Sequence, residues 1–126
     1  MTVAFVDSSC VLSMLLDETH GARMQRQLSE YDCLFIAPLL EAEVYSAAHR
    51  ERRSVDHDLL RRFRHIFAPR SLRPEIERVL AAGYVRGADC LHLATALYLA
   101  PNPSELTFCT LDERQRAVAV HLGFST

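Results

Sequence analysis

The stretch VAFVDSS, residues 3–9, decides the fold class. Its first four residues are all apolar, which is typical of a strand buried on both faces of a parallel sheet. The aspartate and the two serines that follow are good N-caps, and they predict a helix through Leu16. A buried strand that leads directly into a helix indicates an α/β fold.

The same alternation of short apolar strands and helices continues along the chain. Further strands are predicted over residues 33–36 and 106–109, with a weak one over 66–72. Helices are predicted over residues 19–30, 38–53, 55–67, 74–82, 88–100 and 113–122. The sequence therefore predicts an α/β sandwich with a mostly parallel central sheet.

Length and composition favour one globular domain over residues 1–126. The chain is 49% hydrophobic and 24% charged, which is usual for such a domain. An apolar stretch lies near the amino end, but no cationic residue precedes it and Asp7 interrupts it, which argues against a signal peptide. No later apolar run is long enough to span a bilayer, so a cytoplasmic location is expected.

Charge is distributed unevenly, although the net charge is only −2. Between Arg50 and Arg73, eight arginines face three acids, a net charge of +5, and the remainder of the chain carries −7. This segment either attracts a polyanion such as RNA or forms an ordinary solvated helix surface. The sequence alone leaves both interpretations open.

The four cysteines are predicted to be free thiols packed as small hydrophobic residues. They are scattered along the chain, each in an apolar segment, and no pair has C-x-x-C spacing. No histidine lies near a second cysteine at the spacing of a zinc site.

Four acids stand where a hydrophobic core would normally exclude them. Asp7 and Asp112 follow predicted strands, and Glu43 and Asp89 lie in the two most apolar helix starts. Each acid alone could be a helix cap or a solvent-exposed side chain. Together, however, they flank the carboxyl ends of parallel strands, which is where open α/β sheets bind ligands.

Convergence of these acids would require a cation. Two carboxylates about 4 Å apart repel by roughly 4 kcal/mol at an effective dielectric constant near 20. An all-oxygen set of ligands suits Mg²⁺ or Mn²⁺. Such an ion orients a phosphodiester and lowers the pKa of an attacking water. One ion or two would satisfy this argument.

Four motifs resemble those of one family, in the same order and over almost the whole chain. The stretch DSS at residues 7–9 is similar to the D-[ST]-S start of PIN-domain ribonucleases, and PLLEAEVYS at 38–46 is similar to their P-x-x-x-x-E-[VL]-x-S helix. The stretch GADCLHLATA at 87–96 closely resembles A-D-x-x-H-x-A-T-A, and residues 110–123 resemble the final T-x-D…A…A…G element. Within this family, the length resembles that of VapC-type toxins of VapBC (type II) toxin–antitoxin pairs.

The resemblance implies a PIN-like three-layer α/β/α sandwich with a sheet of four to five short strands, the last strand shortened after Gly123. It further implies a Mg²⁺-dependent endoribonuclease, with Mn²⁺ as a substitute. Its partners would be RNA, a cognate antitoxin that blocks the acidic pocket, and a second copy in a homodimer. The residues implied to bind the metal and act in catalysis are Asp7, Glu43, Asp89 and Asp112, supported by the hydroxyls of Ser8 and Thr110.

Two neighbouring residues compete for roles in this site. Glu41 is an alternative to Glu43, and only the family's spacing from Pro38 favours Glu43. His92 is predicted to be an internal hydrogen-bonding residue rather than a ligand.

Two other functions are compatible with parts of the pattern. The first is a catalytically silent module that binds RNA or a partner protein. The second is a phosphatase with Asp7 as its nucleophile, which is less favoured because such enzymes carry another aspartate two residues on, where this chain has Ser9.

Overall fold

The computed structural model describes residues 1–126, apart from the side chain of Glu18. Its strands are β1 (Val3–Val6), β2 (Cys33–Ile36), β3 (Phe63–His65) and β4 (Thr107–Cys109). Its helices are α1 (Ser8–Leu16), α2 (Glu18–Leu28), α3 (Leu39–Arg50), α4 (His57–Leu60), α5 (Arg73–Ala82), α6 (Gly87–Leu99) and α7 (Glu113–Leu122). In the part of the chain thus described, every helix is too short or too polar to cross a membrane.

The four strands form one sheet in the order β3-β2-β1-β4, and all neighbouring strands are parallel. Phe5 of β1 lies opposite Phe35 of β2 and Phe108 of β4. Beyond β4, a single parallel bridge joins Thr107 to Ser125 in place of a fifth strand. The predicted α/β/α sandwich with a parallel sheet is therefore confirmed.

Two hydrophobic cores lie on opposite faces of this sheet. Phe5 and Phe108 pack with α5, α6 and α7 on one face. Ala4 and Val6 point to the other face, where they pack with α1, α2 and α3. Because successive side chains of a strand alternate between faces, a strand covered on both sides must be apolar throughout. This requirement explains the continuous apolar run that opens the chain.

The segment between α3 and α5 differs from the prediction. The helix predicted over residues 55–67 is wrong, because only His57–Leu60 is helical and β3 begins at Phe63. The strand predicted over residues 66–72 is also wrong, since the strand occupies Phe63–His65. Phe63 lies beside Leu34 of β2 and is buried, whereas Phe67 is 72% exposed. The apolar spacing over residues 55–67 is also that of a helix, but pairing with β2 places Phe63 in a strand.

The cysteines are free thiols, as predicted. Cys10, Cys90 and Cys109 are buried in the cores, and Cys33 on β2 is partly exposed. Burial raises the pKa of the Cys109 thiol to about 11 and raises those of Cys10 and Cys90.

Candidate active site

Asp7 lies at the carboxyl end of β1 and is almost fully buried, with 2% exposure. Its backbone N–H donates to the carbonyl of Cys109, 2.9 Å away, so β1 and β4 stay paired up to this residue. Its carboxylate Oδ2 accepts a hydrogen bond from the backbone N–H of Ser9 at 3.0 Å and caps α1. Both the sheet and the helix therefore fix the position of this carboxylate.

A buried amide ties Asp7 to the neighbouring elements. Gln115 of α7 is fully buried, and its Nε2 donates to Oδ1 of Asp7 at 3.2 Å and to the carbonyl of Asp89 at 3.3 Å. The hydroxyl of Thr110 donates to Oε1 of Gln115 at 2.6 Å and accepts from the backbone N–H of Asp112 at 3.1 Å. One amide therefore connects β1, α6, α7 and the end of β4.

Glu43 is held by a buried histidine. Nε2 of His92 on α6 lies 2.5 Å from Oε1 of Glu43 and 3.8 Å from Oδ1 of Asp7. Burial tends to raise the pKa of Glu43, but hydrogen bonds from His92 and from Ser8, together with the charge of His92, lower it overall. Ser8 is buried at the start of α1. Glu43 is therefore kept in its ionised form beside Asp7.

Asp89 and Asp112 line an open cleft of about 260 Å³. Asp89 lies in the first turn of α6, and Asp112 caps α7 by accepting the backbone N–H of Gln115 at 2.7 Å. The other two residues that line the cleft are Arg86 and Arg114. Two helix N-termini and two opposite pairs of charges therefore meet in this cleft.

The charges of three of the predicted acids act on the fourth, Asp89. Burial raises the pKa of Asp89, and the negative charges of Asp7, Asp112 and Glu43 raise it further. Only His92 among the principal influences opposes the increase. The fold thus places Asp7, Glu43 and Asp112 close enough to Asp89 for their charges to act on it.

These side chains suit a hard divalent cation by their chemistry. The donors are carboxylate oxygens, and a cation would relieve the repulsion that disfavours ionised Asp89. Among the described residues, however, no group of three or more histidine, cysteine, aspartate or glutamate side chains already has the spacing of a metal site. Ligation of a cation by these acids would therefore require their side chains to move closer together.

A family model of the PIN domain matches residues 4–121. This chain belongs to the PIN domain family. No curated protein sequence matches it.

Within this PIN domain, Glu41 does not share the environment of Glu43. Glu41 is exposed and contacts His65 at the end of β3. Side chains two positions apart point to nearly opposite sides of a helix, so the two glutamates diverge although they are close in sequence. Glu43 is the one that contacts His92, which in turn lies 3.8 Å from Asp7. His92 is buried and hydrogen-bonded, as predicted.

Three residues of this PIN domain pocket went unnoticed in the sequence. Gln115 follows Asp112 at the D-x-x-Q spacing of a capping box, a signal that could have marked it. Instead of reaching back to the cap, its side chain reaches Asp7. Arg86 and Arg114 lie outside the arginine-rich segment, so charge clustering could not reveal them.

Proposed function

We propose that this PIN domain is a metal-dependent endoribonuclease that hydrolyses RNA phosphodiester bonds. One observation carries the proposal, namely the shared electrostatic environment of Asp7, Glu43, Asp89 and Asp112 at the carboxyl edge of the sheet. Repulsion within such a cluster costs folding free energy, and a bound cation would offset that cost. Membership of the PIN domain family supports a nuclease as the kind of enzyme.

In the proposed mechanism, Asp7, Glu43, Asp89 and Asp112 would hold Mg²⁺, or Mn²⁺ in its place. The bound ion would supply a more acidic water and neutralise charge that develops on the phosphate. Gln115 donates to Oδ1 of Asp7 and Thr110 donates to its Oδ2, so these two residues would keep the carboxylate from rotating. Ser8 and His92 would keep Glu43 in its ionised form, in which its carboxylate can bind the ion or accept a proton.

We further propose that the activity is that of a cytoplasmic VapC-type toxin. The four motifs, in family order along 126 residues, support this role. A cognate antitoxin would insert an arginine among the carboxylates, and the active form would be a homodimer. Expression of the chain alone in a bacterial host would then arrest growth, and Asp7→Asn would abolish the arrest.

The decisive experiment is cleavage of total cellular RNA by the purified protein. Wild type is incubated with Mg²⁺ or Mn²⁺, beside a reaction with EDTA and beside the Asp7→Asn variant. Cleavage that requires the metal and disappears in the variant is expected. The variant retains an N-capping side chain, so circular dichroism should show an unchanged fold.

A second function has one observation in its favour. The described acids do not form a preorganised metal site, as a module that only binds RNA or a protein would not need one. The same experiment separates the two functions. Folded wild-type protein that binds RNA but cleaves none with either metal would favour the binding module.

A further inference from the structure

The cleft lined by Arg86, Asp89, Asp112 and Arg114 presents a problem of charge for any RNA enzyme. An RNA strand carries a negative charge at each phosphate, and the proposed metal ligands are negative as well. Like charges at such short range repel strongly. Phosphates can approach these acids only if positive groups stand beside them.

Most side chains of the arginine-rich segment already contact other groups. Five of the eight arginines between residues 50 and 73 contact an acid or a backbone carbonyl. These are Arg50 with Glu51, Arg53 with Leu15, Arg61 with Asp58, Arg62 with Leu28 and Tyr31, and Arg70 with Glu75. Close to the pocket, Arg116 is also occupied, since it donates to the carbonyl of Thr110.

Arg86 and Arg114 differ from these arginines both in their position and in the absence of contacts of this kind within the described part of the chain. Both residues are exposed, and among the residues that the structure describes neither side chain has a hydrogen-bond or ion-pair partner. Arg86 is the N-cap residue of α6, three positions before Asp89, and Arg114 follows Asp112 by two positions in α7. Each arginine is therefore carried on the same helix start as one acid of the pocket.

This arrangement matches an anion that lies beside a cation. The two helices have 13 and 10 residues, and their N-termini add partial positive charge at the cleft. A guanidinium presents several N–H groups in one plane and suits phosphate oxygens. The acids can then bind a divalent ion while the arginines bind the phosphates next to it.

We propose that Arg86 and Arg114 form a two-arginine site for the phosphates that flank the scissile bond of RNA. They are positioning residues, which bring the strand to the acids and take no part in bond making. The choice of RNA as the ligand rests on the proposed function. The site itself recognises the phosphate backbone and gives no base preference.

The test is the salt dependence of RNA binding without cleavage. A fluorescein-labelled single-stranded RNA oligonucleotide is titrated with protein in EDTA at several salt concentrations, and binding is followed by fluorescence anisotropy. Arg86→Gln and Arg114→Gln should each weaken binding by about 3- to 10-fold and reduce the slope of log affinity against log salt by about 0.7. Arg114→Lys, which retains a positive charge, should retain most of the slope.

The matched control is Arg23→Gln. Arg23 is an exposed residue of α2, which packs on the opposite face of the sheet. The affinity of this variant should therefore stay within 2-fold of wild type, and its salt slope should be unchanged. A second readout excludes general damage to the pocket. Mn²⁺ affinity, measured by isothermal titration calorimetry, should be unchanged or tighter in the two glutamine variants, because each removes a positive charge.

The outcomes separate this proposal from the proposed nuclease activity. Wild-type affinity and slope in both glutamine variants would overturn the two-arginine site, even if wild type cleaves RNA. Failure of the wild type to bind RNA would overturn it too. Reduced slopes in the two variants, with no RNA cleavage by wild type in Mg²⁺ or Mn²⁺, would support the site and refute the nuclease.

Discussion

Nε2 of His92 lies 2.5 Å from Oε1 of Glu43 and 3.8 Å from Oδ1 of Asp7, so one fully buried imidazole stands between two acids. The acids come from different elements, since Asp7 follows β1 and Glu43 lies on α3. His92 contacts Glu43 at hydrogen-bond distance and Asp7 at ion-pair distance. It also holds Glu43 in one orientation.

Replacing His92 should therefore destabilise the metal-free protein. In His92→Leu the two carboxylates lose their common partner while they stay partly buried, which should lower the free energy of unfolding by about 1–3 kcal/mol. His92→Gln keeps an N–H donor and should lose less. Urea unfolding followed by circular dichroism measures both, with exposed His121→Gln as the control. Wild-type stability in His92→Leu would contradict this role.

Asp89 should have the opposite effect on stability. Burial and three neighbouring acids raise its pKa, so its ionised form is disfavoured in the fold. The unfavourable contribution is present above the folded pKa and disappears as the pH falls through it. Asp89→Asn should therefore stabilise the metal-free protein near neutral pH. The gain should not exceed about 1 kcal/mol, because solvent screens a partly exposed group.

The same variant tests metal binding by thermal unfolding. Mg²⁺ should raise the melting temperature of wild type, because it binds only the folded state. Asp89→Asn should start higher without metal and respond less to it. A variant that melts below wild type in EDTA, with an unchanged response to Mg²⁺, would exclude Asp89 as both a repelled acid and a ligand.

Regular features of the sequence predicted the framework of the fold and of the site. The apolar run at Val3–Val6 and the apolar helix Gly87–Leu99 lie where predicted, because burial on all sides leaves an unmistakable composition. β3 was misplaced because its three residues are too few to show alternation, and its position depends on pairing with β2. Local pattern cannot reveal a partner that is remote in sequence.

In the site, too, local sequence predicted some residues but not the contacts between distant ones. Asp7 and Asp112 were predictable because the first follows β1 directly and the second follows β4 by three positions. The contact of His92 with Glu43 joins residues 49 positions apart, and that of Gln115 with Asp7 joins residues 108 positions apart. Such contacts depend on how helices pack over the sheet. The sequence showed a positive net charge only for the arginine-rich segment and left its role open, whereas the guanidiniums at the cleft belong to Arg86 and Arg114.

Gln115 should prove essential for the rigidity of the pocket. Gln115→Leu would remove the partners of Asp7, Thr110 and the carbonyl of Asp89 from a fully buried place, and a loss of about 1–3 kcal/mol is expected in urea unfolding. Gln115→Glu should lose more because it places another negative charge beside Asp7. Exposed Gln27→Leu on α2 is the matched control and should change stability by less than about 0.5 kcal/mol. Equal losses in both leucine variants would refute this role of Gln115.

The cysteines should differ in reactivity towards a thiol reagent such as 5,5′-dithiobis(2-nitrobenzoate). In the native protein at pH 8, only Cys33 is expected to react quickly, since it is the one partly exposed thiol. Cys10, Cys90 and Cys109 are buried and their pKa values are raised, so little thiolate forms and access is poor. Four thiols should react in denaturant. Fast native reaction of more than one thiol, or its persistence in Cys33→Ser, would contradict the burial of the other three.

Two glycines offer a matched pair that tests the packing of α1 against α2. A Cβ at Gly21 would lie 2.5 Å from the carbonyl oxygen of Ser13 and 2.8 Å from Cα of Met14, both backbone atoms of α1. Gly21→Ala must therefore displace one helix from the other, and the free energy of unfolding should fall by about 1–3 kcal/mol.

A Cβ at Gly87, in the first turn of α6, would meet no atom within 4 Å. Gly87→Ala should be neutral or stabilise the protein by up to about 1 kcal/mol, since alanine loses less conformational freedom in a helix. Urea unfolding of the two variants side by side measures the difference, and equal stabilities would show that α1 and α2 are not packed this closely.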